Sequence, residues 1–159
     1  MKRPIFTAFL IIICASLWSQ TGPAGVGTSN TNVLWLKANA GTTSTVNATA
    51  ISTWSDQSGN GVHLSQSTAA QQPSFATNVL NGFPGIQFDN NSGNTVADRL
   101  HAADNPILDN TPGYSFFNVV KMNHIGTDAR AVVSKRTSID TDEAFMLFFF
   151  SSNYFYIDI

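Results

Sequence analysis

The segment Asp56-Gln57-Ser58-Gly59-Asn60-Gly61 sets oxygen-bearing side chains at alternate positions beside turn glycines, an arrangement that resembles the opening of a calcium loop. A complete loop of that kind closes with a bidentate Glu at its twelfth position. Ser67 stands there, so the EF-hand reading fails. A looser calcium site would bring Asp56 and Asn60 to Asp89, or to Asn90 beside it, because calcium takes oxygens from separate segments. The competing and preferred reading is a tight turn in which Asp56 bonds the backbone of its own loop and Gly59 and Gly61 take positive φ.

Hydrolysis of a glycosidic bond needs two carboxylates flanking it. The protein has a single glutamate, Glu143, inside Asp140-Thr141-Asp142-Glu143, a cluster that reads as a solvated hairpin ahead of an apolar run. His63, His101 and His124 lie in separate segments with no helical or strand-spaced partner, which gives neither a metal face nor a Ser-His-Asp set. Ser58 lacks the glycine two residues before it that a nucleophile elbow requires. Cys14, the one cysteine, lies in the apolar N-terminal stretch, so the remainder of the sequence offers no disulfide, thiolate nucleophile or thiolate ligand. No catalysis is expected from these residues.

Sugar recognition is a chemistry the composition permits, since a pyranose has an apolar face for an aromatic ring and a polar rim for amides and carboxylates. Trp54, Phe83, Tyr114, Tyr154 and Tyr156 are candidate platforms; Asn60, Asp89, Asn90, Asn91, Asn94 and Asp98 are candidate rim groups. Trp54, Asn60, Asp89, Asn90 and Tyr114 form the expected ligand-binding set. Core packing competes for every aromatic, and Trp35 and Trp54 are expected to be buried among strand residues.

The elements that would position these groups are strands. From Val33 onward, short runs of Val, Ile, Phe, Tyr and Thr are broken by Gly, Asn, Asp or Pro, the rhythm of an all-β sandwich. The pattern predicts strands over 32–37, 50–55, 74–77, 85–89, 114–122, 130–136, 144–151 and 154–159. Turns are expected at 57–61, Asn81-Gly82, 90–94 and 111–113. Residues 105–110 suit one short helical turn with Pro106 at its first position. The runs 114–120 and 145–150 are so continuously apolar that both are expected to be buried on both faces, forming the core. The sequence ends at Asp158-Ile159 within an apolar run, which is expected of a domain truncated at its C-terminal end.

Charged residues make up 11% of the protein, under half the usual ~25%, and polarity comes from 16 Ser, 16 Thr and 15 Asn. Met1-Lys2-Arg3 followed by the apolar run 5–17 reads as a secretory signal over 1–19, too short to span a bilayer, with cleavage expected after Ser19. Lipidation of Cys14 is the rival, but Ile13 stands where Gly or Ala is wanted. A flexible lead over 20–31 would then precede the domain at 32–159, in a product secreted or held at the cell surface. Without Lys2 and Arg3, six of the eight basic residues remain against 10 acidic ones, with no basic cluster to neutralise phosphates, so nucleic acid is not an expected partner.

Val33-Leu34-Trp35-Leu36-Lys37-Ala38-Asn39-Ala40-Gly41, Trp54 to Gly61, Gln72-Pro73-Ser74-Phe75 and Asn81 to Asp89 follow one another in an order that resembles the laminin G-like, concanavalin A-type jelly-roll domains of bacterial surface proteins. Tyr114 to Lys121 resembles the central strand of that family, and Val132 to Arg136 with Phe145-Met146-Leu147 its next hairpin. The lead Gly22 to Gly27 is similar to that of proteins exported by the type IX route. The resemblance implies an antiparallel jelly-roll sandwich, incomplete at its C-terminal end, with further domains of the same protein beyond it. This fold hosts lectins, adhesion modules, glycosidases and spacers. The expected function is a noncatalytic binding or adhesion module recognising glycan or another surface ligand, with no cofactor other than calcium. A structural spacer is the alternative, and a glycoside hydrolase a more distant one.

Overall fold

The computed structural model describes Gly22 and residues 32–89, 96–109, 115–123, 130–135, 145–150 and 154–158. These residues form seven antiparallel strands in three small sheets, with two single-turn 3-10 helices. The protein is all-β in its described part. The expected signal, the lead apart from Gly22, the acidic cluster at 140–143 and His124 lie outside the described residues.

The first sheet pairs β1 (Thr53–Trp54) with β2 (Leu64–Ser65), a strand that the sequence pattern does not predict. Single bridges extend it on both sides, from Thr42 to Trp54 and from Ser65 to His101. The second sheet is the hairpin of β3 (Ser74–Leu80) and β4 (Phe83–Gln87). Asn81 and Gly82 close it with φ of 49° and 83°, the two positive values that a type I′ turn requires. Pro84 sits in β4, which pairs only with β3 among the described residues, so its missing N–H falls on an edge where none is needed. The other side of β3 meets residues 48–51: Ile51 N–H donates to Pro73 O at 2.7 Å and Phe75 N–H to Thr49 O at 2.9 Å. Further along, Asn47 Oδ1 accepts from both the N–H and the hydroxyl of Thr77.

The third sheet orders β5 (Arg130–Ser134), β6 (Met146–Phe150) and β7 (Tyr154–Asp158). Five cross-strand pairs hold β7 in regular register on β6, whereas β5 shifts register between Ala131 and Val133. Ile51, Val62, Phe75, Phe145 and Leu147 form the buried apolar core of the described residues, each contributing about 1.5–3 kcal/mol on leaving water. Lys135 ties this end to the 96–109 segment through ion pairs with Asp104 and Asp109.

Four sequence expectations are corrected. Residues 32–37 form no strand; main-chain groups of Asn32, Val33 and Trp35 bond to the loop at 56–60, and only Lys37 makes a bridge, to Ala40. The strand expected over 50–55 contracts to Thr53–Trp54, because its first half bonds across to residues 73–75 through isolated contacts. The strand and buried core expected over 114–122 are absent from its described part, 115–122: the backbone there is outside any sheet, and Phe117 and Val119 are 88% and 87% exposed. Phe116 turns inward, its ring 4.8 Å from that of Phe145. Trp35 and Trp54 are half-buried rather than enclosed. The run at 145–150 does supply core residues in Phe145 and Leu147, and the short helical turn is present at Pro106–Leu108, capped by Asn105 Oδ1 accepting from Ile107 N–H at 3.1 Å.

Candidate functional site

The polar loop after β1 is organised by one carboxylate. Asp56 is 6% exposed, and each of its oxygens accepts two hydrogen bonds. Oδ1 takes Trp35 N–H at 2.9 Å and Ser58 N–H at 2.8 Å; Oδ2 takes the Ser58 hydroxyl at 2.6 Å and Val62 N–H at 3.2 Å. Burial, the largest single influence, pushes the Asp56 carboxyl up. The bonds from the Ser58 hydroxyl and from the N–H groups of Trp35, Ser58 and Val62 together outweigh it and hold the group below the ordinary 3.8. Asp56 is therefore an anionic plug for backbone donors, in keeping with the tight-turn reading, and Gly59 and Gly61 carry φ of 95° and 75°.

Asn60 completes the plug from the other end. Its amide Nδ2 donates to Asn32 O at 2.9 Å, Val33 O at 3.0 Å and Ser58 Oγ at 3.2 Å, and Gln57 N–H donates to Trp35 O at 2.7 Å. Residues 32–35 are thus laced to residues 56–60 by side-chain and backbone bonds. His63 accepts Asp56 N–H on Nδ1, which makes it part of the same frame. The Trp54 indole N–H donates to Lys37 O at 2.8 Å, fixing that ring against the first segment, while the Lys37 ammonium lies 4.8 Å above the Trp35 ring.

Asp89 belongs to a different construction. Its N–H donates to Asp98 Oδ2 at 2.8 Å and its carbonyl accepts Asp98 N–H at 3.0 Å, so the two residues hold each other through a pair of bonds. Asn90, Asn91, Asn94 and Tyr114 lie outside the described residues. Of the expected set, Asp56 and Asn60 share one hydrogen-bonded loop; Trp54 and Asp89 each have bonds of their own elsewhere. Among the described residues no three His, Cys, Asp or Glu residues gather as metal ligands.

The expected platforms fare differently. Phe83, at the tip of the β3–β4 hairpin, is 68% exposed. Tyr154 and Tyr156 share one face of β7, two residues apart, and are 66% and 42% exposed. Phe148 stands opposite Tyr156 in the β6–β7 ladder; their rings stack with centroids 5.2 Å apart and planes 14° from parallel. Tyr154 approaches Tyr156 edge-on at 6.4 Å. The result is a continuous strip of three rings with two phenol groups along it. Sequence reasoning names the two tyrosines and misses Phe148, which its apolar run assigns to the core; the period-2 spacing of Tyr154 and Tyr156 marks the face, but only the register of β6 on β7 shows which phenylalanine joins it.

No helix among the described residues is long and apolar enough to cross a membrane. Compared with known proteins, no family model matches the sequence, and neither a curated protein nor a solved structure is significantly similar to it.

Proposed function

We propose that this protein is a noncatalytic binding or adhesion module of a secreted or cell-surface protein, built on an antiparallel sandwich of the jelly-roll, concanavalin A-like type, and that it recognises glycan through the ring strip Phe148, Tyr154 and Tyr156. The observation that carries this reading is the strip itself: three aromatic rings in contact along one sheet face, one pair stacked and one edge-on, with both tyrosines exposed. Exposed rings of this kind present the flat apolar surface that a pyranose face covers, and the phenol groups supply polar contacts at its margin. The separate loops of Asp56 and Asp89 act in this reading as supports.

Calcium at Asp56 would have to displace four donors already in place, so the reading does not depend on a cation. The saturation of that loop favours the second reading, a spacer domain, for the face that carries it: polar side chains used up in internal bonds offer little to a partner. Affinity electrophoresis against laminarin, xylan and agar polysaccharides separates the two readings. A binder is retarded by at least one polymer, and Tyr156→Ala weakens the interaction by about tenfold, the value of losing one stacked ring. Equal mobility in every gel, or retardation unchanged by Tyr156→Ala and Tyr154→Ala together, overturns binding through this strip.

A further inference from the structure

Two Asn-Gly dipeptides, Asn60-Gly61 and Asn81-Gly82, are both exposed and differ in how the asparagine amide is held. A glycine after asparagine leaves the backbone nitrogen sterically free to attack the asparagine amide, so each pair carries the same intrinsic reactivity. The Asn60 amide is held by three acceptors, the carbonyls of Asn32 and Val33 and the hydroxyl of Ser58. The Asn81 amide has no hydrogen-bond partner among the described residues, and both Asn81 and Gly82 are exposed. No atom lies within 4 Å of where a Cβ would be on Gly61 or on Gly82, so both glycines are open to water and the hold on the asparagine amide is what separates the two pairs.

The hairpin tip is also weakly tethered. The regular pairing of β3 with β4 covers Ser74, Phe75 and Ala76, then breaks, with Asn78 at a φ of 54°, and resumes at the single pair Leu80–Phe83. Beyond the irregularity a single ladder pair flanks the turn, so its dihedrals can reach the attacking geometry without loss of the rest of the sheet.

We propose that Asn81 is a site of spontaneous covalent modification, a deamidation that the fold permits there and suppresses at Asn60. The deprotonated nitrogen of Gly82 attacks Cγ of Asn81; a new bond from that nitrogen to Cγ closes a five-membered succinimide, the bond from Cγ to the amide nitrogen Nδ2 breaks, and ammonia leaves with the proton. Water then opens the ring at either carbonyl, giving aspartate or isoaspartate, and nothing is oxidised or reduced. Either product places a carboxylate between the exposed residues Leu80 and Phe83, and isoaspartate also adds a methylene to the backbone at a two-residue turn. The apolar hairpin tip becomes charged as the protein ages.

Incubation of the full-length protein in mildly alkaline buffer, folded and in concentrated urea, followed by peptide mass mapping with isoaspartate detection, tests this. In the folded protein Asn81 is expected to convert more than about tenfold faster than Asn60, as three retained hydrogen bonds imply, and in urea the two rates should converge. Gly82→Ala should slow conversion at Asn81 in urea and leave Asn60 unchanged. Equal rates in the folded protein, faster conversion at Asn60, or conversion at Asn81 to aspartate with no isoaspartate would each overturn the proposal.

Discussion

Each oxygen of Asp56 meets two donors, and three of the four are backbone N–H groups from Trp35, Ser58 and Val62. Asp56→Ala leaves those donors without an acceptor in a buried place, where each orphan costs about 1–3 kcal/mol. Urea denaturation is expected to show a loss of at least about 3 kcal/mol. The carboxyl is held below its ordinary 3.8, so its contribution is complete above that value and fades as pH falls through the lower folded-state value. The stability gap between wild type and Asp56→Asn should therefore be constant from neutral pH down to about 4 and shrink below it; a gap unchanged in strong acid would show that the charge plays no part. The alternation of Asp, Ser and Asn with two glycines makes this turn legible in the sequence, because such residues bond nearby backbone. Its partners Trp35 and Val33 are not legible, since they lie more than 20 residues away and contribute main-chain groups that any residue type supplies.

At the scale of elements, the hairpin at Asn81-Gly82, the strand following Pro73 and the capped turn at Asn105-Pro106 can all be read from local chemistry: positive φ, a fixed proline φ and a side-chain cap. The run at 115–120 cannot, since burial depends on what packs against a strand, and apolar content alone does not supply a partner. Phe117→Ser and Val119→Thr should shift the thermal midpoint little, within the roughly 0.5 kcal/mol typical of exposed positions, and a loss several times larger would restore this run to the core. Turn glycines divide in the same way. Gly41 has a φ of 80°, and a Cβ there would lie 2.6 Å from Gln57 Nε2 and 2.7 Å from Ser55 O, while a Cβ on Gly82 meets nothing. Gly82→Ala should cost about 1 kcal/mol for its dihedral alone and Gly41→Ala clearly more, by denaturant midpoint.

For the whole molecule, the described residues divide their chemistry between two places. Polar groups around Asp56 and Asp89 are spent on internal bonds, and the rings of Phe148, Tyr154 and Tyr156 line one face of β6 and β7 in the third sheet. An exposed aromatic strip carries a hydration cost that a bound apolar surface removes, which is why we propose binding at the sheet face and support by the loops. The most direct measurement is a proton NMR titration with laminarin and xylan oligosaccharides, following ring resonances of Phe148, Tyr154 and Tyr156 beside the amides of Asp56 to Val62. Shifts confined to the three rings, saturating with one of the sugars, are predicted; shifts in the Asp56 loop with silent tyrosine rings, or none with either sugar, would contradict recognition by this face.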